Sequence, residues 1–247
     1  MKIRLLILLA AVAATVARSA AAAADVSTNW SGYAVSGTTF TSVSGGWVQP
    51  KASCSTGATT SAAFWVGLGG NSEDSESLEQ IGTSSDCSPS GAATYTVWYE
   101  LVPAASVTVE LKVAAGDRIW ASVKVNGTKV TVTVKNLTRK TSFAKTLTMA
   151  APDVSSAEWI AEAPSACDAY GRCRQVQLTD FGTVTFTKAL AASGKHTGTI
   201  SDAHWAATSI ELESAGNFGP FAAEETAAQA MPSALSVGGS AFAVTVV

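Results

Sequence analysis

The sequence predicts an all-β protein folded as a two-sheet antiparallel β-sandwich. Apolar and polar residues alternate through many short segments, Gly, Asn, Asp and Ser punctuate them, and helix-period segments are nearly absent. More than ten such strands, each with one apolar face, must bury that face against a second sheet. At 247 residues, 47% hydrophobic and only 14% charged, the chain is long enough for one large core.

Met1–Ala24 stands apart. Lys2 and Arg4 precede an apolar run from Leu5 to about Val16, and Ser19–Ala24 supplies small-residue cleavage sites. The run is shorter than the ~20 residues needed to span a bilayer. It reads as a secretory signal removed between Ala20 and Ala24, leaving residues 25–247 as a single exported domain with no membrane association. No Pro-rich or charged linker and no internal repeat divides that region. Strands are expected at 41–48, 62–68, 94–102 and 107–113, and then at 119–125 and 128–135, a hairpin joined through Asn126-Gly127, a pair suited to a type I′ turn. Others follow at 141–149, 156–162, 176–188, 198–213 and 236–246. Ala222–Met231 is the sole helical candidate.

Without the signal's Lys2, Arg4 and Arg18, the chain keeps 16 − 3 = 13 basic residues against 19 acidic ones, a net charge of −6. That excludes a nucleic-acid partner, whose phosphates need clustered Lys and Arg. It suits work in acid, where carboxylates become neutral. Four cysteines in an exported chain predict disulfides. Cys167 and Cys173 bracket a short loop and form the expected pair, leaving Cys54 with Cys87. A metal site is disfavoured, because Cys-x5-Cys is not a usual zinc spacing and His196 and His204 lie far from it.

The chemistry points to Ala157-Glu-Trp-Ile-Ala-Glu162. As a strand it places Glu158, Ile160 and Glu162 on one face and Trp159 and Ala161 on the other, toward the core. Thr96-Val-Trp-Tyr-Glu100 puts Trp98 and Glu100 together, and Leu78-Glu-Gln80 lies between glycine-rich turns. There is no Gly-x-Ser-x-Gly elbow, His196 and His204 make poor triad bases, and no cysteine is spare if all four pair. Water is the remaining nucleophile, with a carboxylate to take its proton and an amide to stabilise the oxyanion.

Ser27-Thr-Asn-Trp-Ser-Gly-Tyr33, Ala63-Phe-Trp-Val-Gly67, Leu78-Glu-Gln-Ile-Gly82, Trp98-Tyr-Glu100 and Ala157-Glu-Trp-Ile-Ala-Glu162, in this order and spacing, resemble the glutamic peptidases (the eqolisins). Asp180-Phe-Gly-Thr-Val-Thr-Phe186 is similar to the strand that follows their catalytic Glu. The resemblance covers roughly residues 27–247 and weakens after about 190. It implies a sandwich of the concanavalin-A-like type with a concave substrate groove, and an acid endopeptidase that needs neither metal nor cofactor. It assigns Glu162 as general base and then acid, and Gln80 as oxyanion stabiliser, with Trp30, Trp65, Trp98 and Glu100 lining the site. Trp159 is expected in the core, and Trp47, Trp120 and Trp205 in the core or on a sheet surface. The expected partners are polypeptides, and the chain is expected to act as a monomer.

Two departures stand out. Gly69 falls where the family often carries an Asp, for which Asp74 or Asp86 could compensate. Glu79 precedes Gln80 where an uncharged residue is usual, and alternation assigns it to the outer surface. The sequons at Asn29, Asn126 and Asn136 are read as structural. Two rivals share the sandwich: a glycoside hydrolase using Glu100 and Glu162, and a non-catalytic lectin-like module whose tryptophans stack on sugars.

Overall fold

The computed structural model describes residues 24–72, 74–167, 173–213 and 230–247. The expected signal segment, all but Ala24, therefore lies outside the described residues, as do positions 222–229 of the helical candidate; Ala230 and Met231 belong to a strand. Among the described residues there is no helix.

The strands in chain order are β1 (Asp25–Ser27), β2 (Trp30–Ser36), β3 (Ser42–Val48), β4 (Thr60–Gly69), β5 (Leu78–Cys87), β6 (Ala93–Val102), β7 (Val107–Val109), β8 (Arg118–Asn126), β9 (Lys129–Asn136) and β10 (Thr141–Thr148). There follow β11 (Ser156–Glu162), β12 (Ser165–Cys167), β13 (Cys173–Gln175), β14 (Gln177–Leu178), β15 (Thr183–Ser193), β16 (His196–Gly198), β17 (Ala206–Leu212), β18 (Ala230–Pro232) and β19 (Phe242–Val246). One layer runs β7-β6-β5-β4-β11-β2-β17. The other runs β10-β9-β8-β3-β15-β16. The layers are continuous through β15, which pairs with β19 over Thr183–Phe186 and with β3 from Thr187 onward. A register shift between Thr187 and Leu190, with Lys188 at φ 52°, marks the place where the strand changes layer.

Between the layers lies one apolar core containing Phe64, Val66, Leu68, Ile81, Ile119, Val132, Trp159 and Phe186. Trp47 and Trp205 are in it too, while Trp120 is half-buried with the Lys135 ammonium over its ring. A second, smaller apolar cluster sits on the opposite face of the first layer: Ala34, Ala63, Trp65, Leu78, Ile160 and Ile210, with Trp30, Trp98 and Val102 against it. The central strands β4, β5 and β11 are thus covered on both faces, so nearly every residue in them is buried.

Three expectations need correction. The strand expected over 107–113 pairs only over Val107–Val109, because alternation measures which face is apolar and not whether a partner strand is present. The β8–β9 hairpin turns one residue later than expected. Asn126 already pairs with Lys129, and only Gly127 has positive φ, which fits Gly at the first central position of a type II′ turn. Residues 78–87 form a ten-residue central strand, not a short segment between turns. Its polar interior side chains hid it: Thr83 accepts from the Trp47 indole at 3.0 Å and Ser85 from Gln49 at 2.8 Å.

Cys54 and Cys87 form a disulfide that closes the loop before β4 onto the end of β5. Cys173 is disulfide-bonded, and Cys167 stands opposite it in the β12–β13 ladder. Asn136 is fully buried and donates to Asp117 and to the Lys112 carbonyl, a structural use of that sequon.

Candidate active site

Strand register determines which side chains share the exposed face of the first layer. Directly opposed residues point the same way. Glu162 stands opposite Ala63 of β4 and Trp30 of β2, and Ile160 opposite Trp65. On the other side of β4, Trp65 faces Gly82 and Gly67 faces Gln80, while Gln80 faces Glu100 and Gly82 faces Trp98 of β6. Glu162, Trp65, Trp30, Gln80, Glu100 and Trp98 therefore line one surface, and every sequence-assigned candidate other than the cysteines lies on it.

Trp65 organises that surface. Its ring is completely buried, and Trp30 packs edge-on against it with centroids 5.0 Å apart. Its Nε1–H donates to Glu162 Oε2 at 2.7 Å. At the other edge of the indole, Cζ3 lies 2.9 Å from where a Cβ on Gly67 would stand, and Gln80 Cβ lies 3.3 Å from the same point. Glu162 and Gln80 thus occupy the two ends of one indole, with Gly67 leaving the space that lets the ring lie flat.

The two polar groups are held differently. Glu162 is half-buried; besides Trp65 it accepts from Asn29 Nδ2 at 3.2 Å through Oε1. Burial pushes its carboxyl up to about 7, helped by the Glu100 charge and opposed by the Trp65 and Asn29 donors. Gln80 is 4% exposed and its Nε2 donates to Glu100 Oε2 at 2.8 Å, while its Oε1 has no partner among the described residues. Burial also raises Glu100, against the Gln80 hydrogen bond. Beside the site a cavity of about 300 Å³ is lined in part by Asn29, Trp30, Gly70 and Ile210.

In the sequence Asn29 stands out as a sequon and as part of the Ser27–Tyr33 motif, with no role in the site. Its place in β2's approach, one residue before Trp30, is the signal that would have found it once β2 is paired with β11. Gly69 is also explained. Its φ is 82°, and a Cβ there would fall 2.5 Å from Asp153 Cβ. Asp153 fills that space and accepts from Gly70 N at 3.3 Å, from Ser155 N at 2.9 Å and from the Ser75 hydroxyl. Burial pushes it up, but these donors, the Ser75 hydroxyl first among them, outweigh burial and hold it below the usual carboxylate range. The carboxylate found in that space is Asp153; Asp74 is exposed, and Asp86 is bonded to Ser61 and Ser84.

Glu79 is a correction. Alternation does turn it away from the groove, but that direction is the interior, and Glu79 is completely buried. It accepts from Asp153 N at 3.2 Å, and burial pushes its carboxyl up to about 8. Glu158 shares the face of Glu162 but is not on a solvated surface. It is completely buried, and both carboxyl oxygens lack a well-formed hydrogen bond among the described residues. Burial raises it well above the ordinary value, slightly offset by Ser156 and reinforced by Asp153 and Glu79.

A carboxylate that can take a proton from water and an amide that can donate to a developing oxyanion thus share one aromatic floor. Residues 28–228 match the sequence model of the Peptidase A4 family, and the chain belongs to that family, the glutamic peptidases. It is 29% identical to Aspergillopepsin-2 of Aspergillus niger over 217 residues, which cover 78% of this chain and 73% of that one. It is 30% identical to Scytalidopepsin B of Scytalidium lignicola over 187 residues, 73% and 69% of the two chains. The fold superposes on scytalido-glutamic peptidase bound to a transition state analog inhibitor with a TM-score of 0.71, at 25% identity, covering 89% of this chain and 98% of that one. For aspergilloglutamic peptidase from Aspergillus niger the TM-score is 0.61 at 29% identity, with 76% and 99% covered.

Proposed function

We propose that this peptidase is an exported acid endopeptidase of the glutamic type, in which Glu162 activates water and Gln80 stabilises the oxyanion. The observation that carries this reading is the placement of Gln80 and Glu162 at opposite ends of the Trp65 indole. Glu162 takes a proton from water as its oxygen bonds to the scissile carbonyl carbon. The carbonyl oxygen becomes negative and accepts a hydrogen bond from Gln80 Nε2. Glu162 then returns the proton to the amide nitrogen as the C–N bond breaks. Glu100 orients Gln80, Trp65 and Asn29 orient Glu162, and Trp30 and Trp98 present apolar surface to an extended polypeptide. No step calls on a metal or cofactor, and the unit is a monomer.

Acid operation follows from the carboxyl groups. Desolvation keeps the ionised fraction of Glu162 small at low pH. The Glu100 repulsion disappears once Glu100 is neutral, and Trp65 and Asn29 favour the ionised base. The rate should climb with pH along its acid limb and fall before neutrality, as the ionising Glu100 repels the charged Glu162 and rising pH starts to charge the buried Glu79 and Glu158, which the fold needs neutral. The Met1–Ala24 segment supports export.

The test is hydrolysis of acid-denatured globin at pH 3 and pH 7 with pepstatin and a chelator present. Cleavage confined to acid, surviving both additives and falling to background in Glu162→Gln, is the expected result. Cleavage peaking at pH 8, or full activity in Glu162→Gln, would contradict the proposal.

A further inference from the structure

The chain contains two histidines, and they meet. His196 begins β16 and His204 lies just before β17, yet their rings stack with centroids 3.8 Å apart. Both address one carboxylate: His196 Nε2 is 3.0 Å from Asp202 Oδ2, and His204 Nδ1 is 2.7 Å from Asp202 Oδ1. All three groups bring their ligating atoms within 4.8 Å of one another.

The carboxylate is fixed by backbone. Asp202 Oδ1 accepts from His204 N at 2.9 Å, and Oδ2 lies 2.1 Å from where a Cβ on Gly198 would stand, so it is lodged in a space only glycine leaves. His196 is braced edge-on by Trp205, whose own indole N–H is tied to the Thr199 carbonyl at 3.0 Å. Atoms bound to one tetrahedral ion at about 2.0–2.2 Å stand roughly 3 to 3.5 Å apart. His196 Nε2 stands 3.0 Å from one Asp202 oxygen, at the lower end of that range, and His204 Nδ1 stands 2.7 Å from the other, slightly inside it.

We propose that His196, Asp202 and His204 form a binding site for a divalent transition-metal ion of the zinc, nickel or copper class. Two imidazoles and a carboxylate match the preference of those ions over Ca²⁺ or Mg²⁺, and three protein ligands leave room for water. The ion replaces the hydrogen-bonding protons between the rings and Asp202 and clamps the crossover that carries the chain from β16 into β17. Ala206, where β17 begins, pairs with Ser36, six residues along β2 from Trp30, or about 20 Å at ~3.3 Å per residue. The site is therefore a structural clip, remote from Glu162.

The experiment titrates the secreted protein with ZnCl₂ at pH 7.5 and follows thermal unfolding. A 1:1 ion should raise Tm by about 5 °C at saturation. The rise should vanish in His196→Ala/His204→Ala. His204 is mostly exposed, so His204→Ala alone provides a variant that folds. With Cu²⁺, electron paramagnetic resonance should show coupling to two ring nitrogens in wild type and one in His204→Ala. No Tm change at millimolar Zn²⁺, or an equal change in the double variant, would overturn the proposal, as would a copper spectrum unaltered by His204→Ala.

Discussion

Glu158 and Glu162 stand four residues apart on the same face of β11, yet they are different chemical objects. Glu162 is half-buried, holds two donors and bonds Asn29, which lines the neighbouring cavity; Glu158 is sealed and has no well-formed hydrogen bond. Both carboxyls are raised by burial. The difference teaches that a shifted pKa alone does not mark a reagent. Donors that hold the ionised form, together with access, separate a group that can cycle its proton from one that must stay neutral for the fold to survive.

The largest effect expected from that contrast is on stability. Glu79, raised from 4.5 to about 8, belongs with Glu158 to the sealed class. A carboxyl whose folded-state value is raised stabilises fully below its unfolded value and loses that contribution as pH rises through the folded value. At 1.36 kcal/mol per pH unit, Glu79 alone implies roughly 5 kcal/mol lost between about pH 4.5 and 8. Urea unfolding at pH 4 and pH 7.5 should show a loss of at least this order, and Glu79→Gln should remove the Glu79 share of it, leaving the share of the other raised carboxyls. Equal stability at the two pH values would erase the distinction between sealed and open carboxyls.

Next comes Gln80→Ala, which removes the oxyanion donor and should lower kcat by about 10²–10³-fold with little change in fold. A mild effect would favour the glycosidase reading, in which Glu100 and Glu162 act without Gln80. Trp65→Phe deletes the donor to Glu162 and should cost about tenfold in kcat/KM. It should also move the acid limb of the pH profile upward by about one pH unit, since the ionised base loses a charge-assisted bond. A drop in kcat/KM with an unmoved limb would make Trp65 a packing residue only. Smallest is Asn29→Ala, whose 3.2 Å contact should be worth about threefold.

The same contrast shows what sequence patterning can and cannot convey. The limits of β11 follow from alternation, and the grouping of Glu158 with Glu162 follows from the period of two. What each face meets does not. Alternation turns Glu79 away from the face of Gln80, a direction that reads as solvent for a polar residue, whereas in a sandwich strand it is the core. Asp153, 84 residues beyond Gly69, takes up the space an acidic side chain would fill there, and only tertiary contact reveals it. His196, Asp202 and His204 lie within nine residues of one another, but that they converge depends on the path of the turn between β16 and β17, which alternation does not describe.

The most direct measurement compares Glu162→Gln and Glu158→Gln side by side: kcat/KM at pH 4 on a fluorogenic peptide, with circular dichroism to confirm folding. Glu162→Gln should lose about 10⁴-fold, near the upper end of what a general acid–base group contributes, while Glu158→Gln should stay within about threefold of wild type and unfold later at neutral pH. A folded Glu158→Gln that is inactive, beside an active Glu162→Gln, would exchange the two roles and contradict the account.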